Sequence, residues 1–481
     1  MRMNEKRQDW MNYLLLFAGA AVFVLFFSTS TSPLYGGYGS DSAIFQVIGK
    51  YWAKGKIPYL ELFDHKGPYI FLADAAGYGI AQSRYGIAAL QCIHLFFTLI
   101  GVYKAALCFF EKKSAALWTM VTLGFLSLCY EGGNLTEEFV LPFLAFSAYW
   151  QIRFLMKEDW RGKGHSYWQA FFYGVTFALC VLTRLTNAVG LCCGIFIILC
   201  ILVREKKWRN IGGCAASVLA GTAAAGLPFI FYFLSKGALY DMFLGTILQN
   251  IKAAEAVTTF WWSEPHSLVG WVHIIIAHFC SYGMIGAGVV ALIKKKGEWA
   301  AYFLFVGAGM TAYLVTRYAF YHYMMIAIPF LPAVAAAVTD IGKHKEKLRA
   351  GLAVFLGIFI AYQAFTVYRD SWNKERKEPA YASLLQEIPE EGKDSFVAYN
   401  VKADIYLLYG LEPCSKYFHH QDAQASKNAK LQLEIQEEYG SGRAEWILVM
   451  ETEFENCIRE ILDKDYVRAA ENGEYSLYRR K

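Results

Sequence analysis

The sequence predicts an all-α polytopic membrane protein with a small α/β domain at its C-terminal end. Three observations predict this class. Hydrophobic residues make up 56% of the 481 residues and charged residues only 18%, whereas a soluble chain usually carries about a quarter charged residues. The charges lie in short clusters between long apolar runs, and a transmembrane helix needs about 20 mostly apolar residues. The positively charged clusters also recur at every second loop, as the positive-inside rule expects.

About eleven apolar segments are candidate membrane spans, each long enough to cross a bilayer with help from its flanks. They fall at 13–28, 86–110, 115–130, 138–156, 168–183, 187–203, 211–234, 268–292, 300–316, 323–339 and 350–368. The basic, apolar and small-residue order of the N-terminus also resembles a signal peptide. We favour an uncleaved first span because many further spans follow it.

The signs of the loops predict the orientation of the chain. Alternate loops carry most of the lysines and arginines, among them Lys112, Lys113, Arg204, Lys206, Lys207, Lys294, Lys295 and Lys296. The positive-inside rule therefore places the N-terminus in the cytoplasm. With an odd number of spans, the first long loop (28–85), the loop 235–266 and the tail all lie outside. The net charge of +5 follows from this topology, so we expect a lipid bilayer and no nucleic acid as partner.

The character of the chain changes at Arg369, which predicts two domains: a transmembrane domain at 1–368 and an extracytoplasmic α/β domain at 369–481. In the tail, "SFVAYN", "AEWILVM" and "YSLYRR" read as strands, and "ADIYLLYG" and "FENCIREILDKDY" read as helices. About 110 residues can bury a core of their own. Cys414 and Cys457 could pair there, but their spacing does not decide it.

The first outer loop is too long to be a simple connection, and long loops tend to be functional. Its segment "SAIFQVIGKYWAKG" predicts an amphipathic helix that could lie in the membrane interface. The apolar side of that helix is formed by Ile44, Val47, Ile48, Tyr51 and Trp52. Gly55 and Pro58 then turn the chain, and "FDHKGPYIFLADAAGYG" leads back toward the membrane.

The order of motifs in this loop resembles a known family. An acid, Asp41, follows the first span, and "PY" and "FDHKGP" precede the second. This pattern is similar to that of the GT-C class of membrane glycosyltransferases, which use lipid-phosphate sugars. The nearest patterns are those of the protein O-mannosyltransferases and the aminoarabinose transferase of lipid A. The resemblance covers the first outer loop well, extends weakly through the later spans and does not reach the tail.

The resemblance implies roles for particular residues. Asp41 would be the catalytic carboxylate, and Lys66 would contact the phosphate of a polyprenyl-phosphate sugar. The family often has a pair of acids after the first span, whereas Ser42 occupies the second position here. Arg184 of "LTRLTN" matches a basic residue that follows the fifth span. Inversion at the anomeric carbon is likewise implied by the resemblance alone.

The chemistry of such a transfer suits these residue types independently. A carboxylate can act as general base toward an acceptor hydroxyl. Lys66, Arg184 and Arg317 could neutralise the charge that builds on the departing phosphate. Each also has a simpler interpretation. Asp41 could cap a helix, Lys66 could extend to the lipid headgroups, and the two arginines could anchor the interface.

Further ionisable residues are candidates for accessory roles. The segment "YEGGNLTEEF" carries Glu131, Glu137 and Glu138, and either member of the last pair is a candidate second acid, although acids also favour helix N-termini. His65 belongs to the "FDHKGP" motif. His322 enters a span, where ionisable groups tend to be functional, but a hydrogen-bonded structural histidine explains it equally well.

The sequence predicts neither a metal site nor a cofactor. No carboxylate motif typical of a metal site is present, and His419 and His420 have no apparent third ligand. The need for a divalent metal nevertheless stays open.

The predicted function is therefore transfer of a sugar from a polyprenyl-phosphate donor to an extracytoplasmic glycan, lipid or protein. One alternative is a polymerase or ligase that uses lipid-diphosphate oligosaccharides, since the donor chemistry is shared. The other alternative is a transporter or flippase. A transporter would place its polar site near the membrane midplane, whereas the span interiors here hold few ionisable groups, which argues against this alternative.

Overall fold

The computed structural model describes residues 2–156, 160–251, 271, 278–315, 320–338, 345–375, 378–426, 428–451 and 456–481. The chain divides into two compact units. The helical unit comprises Met1–Ser28, Ala88–Ile230 and Thr258–Tyr368, and the loop–tail unit comprises Thr29–Ile87, Phe231–Val257 and Arg369–Lys481. One unit boundary lies between Tyr368 and Arg369, but the tail shares its unit with the first outer loop, so the predicted division into two domains stays a prediction.

The helices before the tail follow the apolar segments of the sequence. Their bounds are α1 Arg2–Phe27, α2 Ser40–Ala53, α3 Pro68–Ala81, α4 Arg84–Ala106, α5 Lys112–Cys129, α6 Thr136–Met156, α7 Trp160–Lys163, α8 Tyr167–Val181, α9 Val189–Arg204, α10 Trp208–Ser235, α11 Leu239–Phe243, α12 Phe279–Ile293, α13 Gly297–Val315, α14 Leu331–Val338 and α15 Lys345–Glu375. A 3₁₀ turn at Leu185–Ala188 precedes α9, and a π-helical turn at Leu244–Leu248 follows α11.

Within these described ranges, six helices are long and apolar enough to cross a membrane by length and composition. Three shorter apolar helices, Tyr167–Val181, Phe279–Ile293 and Tyr321–Ala337, add to them. The number, length and apolar composition of these helices are those of a multi-pass membrane protein. The figure of about eleven spans stays a prediction, in part because most of 268–277 lies outside the described residues.

One predicted span has a different local structure from its neighbours. Residues 323–339 read as one apolar helix, but the structure has a 3₁₀ helix at Tyr321–Phe330 followed by α14. Pro329 lacks an amide hydrogen and so cannot contribute a regular helical hydrogen bond. Pro332 lies in the first turn of α14, where proline is tolerated because those amides lack intrahelical partners.

The amphipathic helix predicted in the first outer loop is present as α2, and it packs against α3. Ile44, Val47 and Ile48 of the predicted apolar side are buried, but Ser42 and Gln46 on the opposite side are buried as well, so α2 is covered on both sides and its placement in the membrane interface stays a prediction. The two helices approach closely at Gly49, where a Cβ atom would lie 2.4 Å from the Cβ of Asp74. Pro68 at the first position of α3 starts that helix with a φ angle already suited to it.

The tail forms a four-stranded mixed sheet covered by short helices. Its elements are α16 Ala382–Leu385, β1 Phe396–Tyr399, α17 Asp404–Leu408, α18 Gln421–Ala425, α19 Ala429–Gly440, β2 Trp446–Met450, α20 Arg459–Asp465, β3 Tyr466–Glu471 and β4 Tyr475–Arg480, with a 3₁₀ turn at Glu390–Ser395. The strand order is β1-β2-β4-β3, with β1 parallel to β2 and the other pairs antiparallel. Phe63 of the first outer loop is part of the hydrophobic core of this sheet.

The predicted strands of the tail correspond to β1, β2 and β4, whereas the strand β3 and the helices α16, α18 and α19 were missed. The predicted helix over "FENCIREILDKDY" is shorter, because Tyr466 already begins β3. The helix α19 was not predicted. Its buried residues Leu431, Ile435 and Tyr439 have the spacing of one helix face, but charged residues between them hide the pattern.

We expect Gly49→Ala to destabilise the loop–tail unit, because an added methyl group must displace α3 at the point of closest approach. A loss of about 1–3 kcal/mol is typical of such overpacking. Gly79→Ala on α3 is the matched control, since a Cβ atom there meets nothing within 4 Å and alanine favours a helix. Thermal unfolding of both purified variants in detergent tests this. Equal melting temperatures for the two would contradict it.

Candidate functional site

The turn at Phe63–Lys66 in the loop–tail unit is built around one buried carboxylate. The side chain of Asp64 is 2% exposed, and its Oδ1 accepts the Lys66 backbone N–H at 2.9 Å. Its Oδ2 lies 3.4 Å from Nδ1 of His65. Burial alone would raise the pKa of Asp64, but the facing His65 and the nearby His419 and Lys66 hold it below its usual value.

Three chain segments hold this turn in place, all of them in the loop–tail unit. Tyr59, earlier in the loop, donates its hydroxyl to the Lys66 carbonyl at 2.6 Å. Asn250 donates its side-chain amide to the His65 carbonyl at 2.7 Å. From the tail, the Lys416 carbonyl accepts the Phe63 N–H at 2.9 Å. The turn therefore has one defined conformation rather than that of a free loop.

The predicted catalytic carboxylate and the predicted phosphate-binding lysine lie next to each other. Asp41 occupies the first turn of α2, and its Oδ2 lies 3.8 Å from Nζ of Lys66. The Asp41 side chain is 40% exposed and that of Lys66 is 16% exposed. A carboxylate that is open to solvent on one side and faces a cation on the other can receive a proton from a bound molecule.

His65 connects this pair to the buried carboxylate. Nζ of Lys66 lies 2.9 Å from Nε2 of His65. An ammonium group can only donate hydrogen bonds, so Nε2 accepts and the ring proton belongs on Nδ1, which faces Asp64. The four side chains thus form a row of complementary contacts: His65 faces Asp64 with its Nδ1–H, and Lys66 donates to His65 and faces Asp41. The structure brings three predicted site residues together here, and Asp64 joins them as a residue to which the prediction had given no role.

A second charged cluster lies in the helical unit and is described by itself. The Glu137 side chain is fully buried, and its Oε1 lies 3.4 Å from Nη1 of Arg184. Its Oε2 lies 4.0 Å from Nε2 of His322, whose Nδ1 contacts the carboxylate of Glu131. The Arg184 guanidinium lies 3.6 Å from the centre of the Tyr323 ring, a cation–π contact. This cluster unites two acids, one arginine and one histidine, and Tyr323 joins it as a residue to which the prediction had given no catalytic or binding role.

The neighbouring acid, Glu138, has different partners. Its Oε1 accepts the Tyr130 hydroxyl at 2.5 Å, and its Oε2 accepts Nε2 of Gln91 at 3.0 Å and the Asn134 backbone N–H at 2.8 Å. These donors are neutral, so this carboxylate fixes the loop before α6 and faces no cation in these contacts. Glu131 through Asn134 all have positive φ angles, a conformation that residues other than glycine adopt at a cost of about 1–2 kcal/mol.

Other predicted site features have varied outcomes. Arg317 lies outside the described residues, so its phosphate role stays a prediction. Cys414 and Cys457 are both free, and Sγ of Cys457 lies 3.1 Å from the Tyr399 hydroxyl. Within the described part of the chain, no three His, Cys, Asp or Glu side chains are grouped as a metal site requires.

We expect the loop–tail unit to lose stability in acid through His419, a buried tail residue beside the turn. Burial lowers the pKa of His419 to about 3, and its electrostatic neighbours are Asp64, His65 and His420. Because the folded state has the lower pKa, the unfolded chain takes up the proton first, so stability is present above about pH 6.5 and is lost as the pH falls toward 3. The lowered pKa of Asp64 adds a further loss below about pH 4.

At pH 5, protonation of His419 in the unfolded chain should lower the free energy of unfolding by about 2 kcal/mol relative to neutral pH. His419→Gln removes the titrating ring and should reduce the difference in melting temperature between pH 7.5 and pH 5, measured by thermal unfolding in detergent. The same pH dependence in both proteins would contradict the assignment.

The comparisons with known proteins concern the fold. No protein-family model matches the sequence, and no curated protein matches it. Among solved structures, the chain is similar to ArnT from Cupriavidus metallidurans in the apo state, with a TM-score of 0.61, 11% identity and 98% of each chain covered. It is also similar to the same ArnT bound to undecaprenyl phosphate, with a TM-score of 0.58, 12% identity and 97% of each chain covered.

A third similar structure is the Archaeoglobus fulgidus oligosaccharyltransferase in the apo form, with a TM-score of 0.51 and 12% identity. That match covers 91% of this chain and 69% of the other. The likeness to ArnT extends over nearly the whole chain, including the tail that the sequence pattern did not reach. The fold class predicted from the sequence, a GT-C membrane protein with a small α/β domain, is confirmed.

Proposed function

We propose that the chain is a membrane glycosyltransferase that moves a sugar from a polyprenyl-phosphate donor to an acceptor outside the cytoplasm. The observation that carries the proposal is the pairing of Asp41 with Lys66 at 3.8 Å on a turn held by three chain segments. A base and a phosphate-binding cation in contact are what such a transfer needs. The ArnT fold supports the proposal, since one ArnT structure has undecaprenyl phosphate bound.

In the proposed reaction, Asp41 accepts the proton of the acceptor hydroxyl. The acceptor oxygen forms a bond with the anomeric carbon, and the bond from that carbon to the phosphate oxygen breaks. The bonding pair leaves with the polyprenyl phosphate. The ammonium group of Lys66 balances the growing negative charge, and His65 orients that ammonium group through its Nε2 acceptor.

The cluster in the helical unit has its own proposed roles. Arg184 is a second phosphate-binding cation, and the buried carboxylate of Glu137 compensates its charge, since an unpaired buried cation is costly. His322 is an accessory residue that lies near both Glu137 and Glu131. The partners of Glu138 are neutral donors, and we assign it to the loop rather than to the reaction.

The orientation and the domain division are also part of the proposal. The N-terminus lies in the cytoplasm and the tail domain (369–481) lies outside, as the alternation of basic loops indicates. The membrane in question is the cell membrane. The acceptor is a glycan, a lipid or a protein.

We expect Asp41→Asn to reduce sugar transfer about 10²- to 10⁴-fold, the range that general-base catalysis contributes. The measurement uses purified protein, radiolabelled polyprenyl-phosphate sugars and an extract of envelope acceptors. Glu61→Gln is the matched control, because Glu61 is an exposed acid of the same loop whose carboxylate accepts the Ile57 backbone N–H at 2.7 Å.

Full activity in Asp41→Asn would refute the role of Asp41. Transfer only from lipid-diphosphate sugars would favour the polymerase or ligase alternative. Solute flux in proteoliposomes without any transfer would favour a transporter.

Replacing Lys66 by methionine removes the cation but keeps the length of the side chain. We expect kcat/KM for the donor to fall roughly 10- to 100-fold, because one charge contact with the departing phosphate is lost. The exposed Lys54→Met change is the control for loss of a positive charge nearby. If both substitutions weaken transfer equally, general attraction of an anionic lipid explains the result and a specific phosphate contact does not.

A further inference from the structure

A segment of the tail, residues 416–420, lies against the turn that carries Lys66. The backbone N–H of Phe63 donates to the Lys416 carbonyl at 2.9 Å, and the Phe63 and Tyr417 rings are 5.5 Å apart between centroids. Nζ of Lys416 lies 2.8 Å from Oδ1 of Asp241. The turn is therefore packed into the core of the tail sheet rather than resting on its surface.

The His419 side chain also contacts polar groups of the turn, and its neighbour His420 interacts electrostatically with Asp41, Asp64, His65 and Lys66. The His419 side chain is 2% exposed. Its Nε2 lies 3.2 Å from the Phe63 carbonyl and 3.6 Å from Oδ2 of Asp64. The Nδ1 atom has no hydrogen-bond partner among the described residues, so every polar contact recorded for the ring is directed at the turn.

The protonation of the ring follows from these contacts. A carbonyl oxygen can only accept, so Nε2 carries the hydrogen and the ring is the neutral Nε2–H tautomer. Burial disfavours a second proton on this ring. His419 therefore acts as a fixed hydrogen-bond donor.

The contacts continue from His419 to the proposed site in two steps. His419 fixes the Phe63 carbonyl beside Asp64, and Asp64 fixes the Lys66 backbone N–H at 2.9 Å. Nζ of Lys66 then lies 3.8 Å from Asp41. A shift of about 1 Å at a reacting group can cost on the order of 10²-fold in rate, so the position of the turn matters to the group that it carries.

We propose that His419 is a positioning residue of the active site: it holds the Phe63–Lys66 turn so that the Lys66 ammonium meets the phosphate of the donor. The role of the tail is thus to complete the loop that binds the donor. The part of this inference that concerns the phosphate rests on the proposed function, whereas the part that concerns the turn does not.

The test compares two substitutions of His419 with a matched control. His419→Leu keeps a buried apolar side chain but removes the donor, whereas the side-chain amide of His419→Gln can still donate to the Phe63 carbonyl. Tyr466→Phe removes another buried donor of the tail, whose hydroxyl bonds the Ala444 carbonyl at 2.7 Å and takes no part in the turn. All three are measured as the full-length protein in detergent.

Three measurements are made on each protein. Hydrogen exchange of the peptide that covers residues 59–67 reports on the turn directly, because the Lys66 amide is bonded to Asp64. Binding of undecaprenyl phosphate and kcat/KM for the donor report on the phosphate contact. We expect His419→Leu to speed exchange about fivefold or more, to weaken binding about tenfold and to lower kcat/KM about tenfold.

His419→Gln should behave like the wild type, and Tyr466→Phe should change neither exchange in this peptide nor binding. In a Lys66→Met background, His419→Leu should cause no further loss of binding, since both changes affect the same contact.

Unchanged exchange in folded His419→Leu would overturn the proposal, as would faster exchange with unchanged binding, or the same changes in Tyr466→Phe. If the wild type neither binds undecaprenyl phosphate nor transfers any sugar, the proposed function fails and the phosphate role fails with it. Exchange in the 59–67 peptide would still decide whether His419 holds the turn.

Discussion

The buried carboxylate of Asp64 is the constraint on which the arrangement of the loop–tail unit depends. A charge withdrawn from water must be compensated by hydrogen bonds and opposite charge. Here the compensation comes from the Lys66 backbone N–H, the His65 ring and the neighbourhood of His419. Since these groups belong to the first loop and to the tail, satisfying one carboxylate brings two distant parts of the sequence together.

Most of the fold could be predicted from the sequence because it is dictated locally. Long apolar runs can only be helices in a bilayer, where every backbone polar group must be bonded within its own segment. The strands β1 and β2 are short apolar runs that are buried, so they too show in the sequence. β3 does not: it is largely exposed, and only its pairing with β4 defines it, which is a tertiary property.

The candidate site was predictable in part, and for a physical reason. Asp41 and Lys66 stand in motifs, so their types and order could be recognised. The tail residue His419 could not be recognised, because it lies 356 positions along the chain from Phe63, whose carbonyl it contacts, and no local pattern reports a contact over that distance. Its only sign was the His419–His420 doublet, which invites a metal interpretation when the histidines are seen without Asp64.

The sequence also could not distinguish the roles of the adjacent acids Glu137 and Glu138, and helix geometry explains why. Consecutive residues on a helix point about 100° apart, so Glu137 and Glu138 must face different neighbours. Glu137 meets Arg184, while Glu138 meets Tyr130 and Gln91. The first compensates a cation, and the second fixes a loop whose four consecutive left-handed residues need such bonds to persist. Glu137 and Glu138 therefore have separate structural roles, and a substitution of one does not test the role of the other.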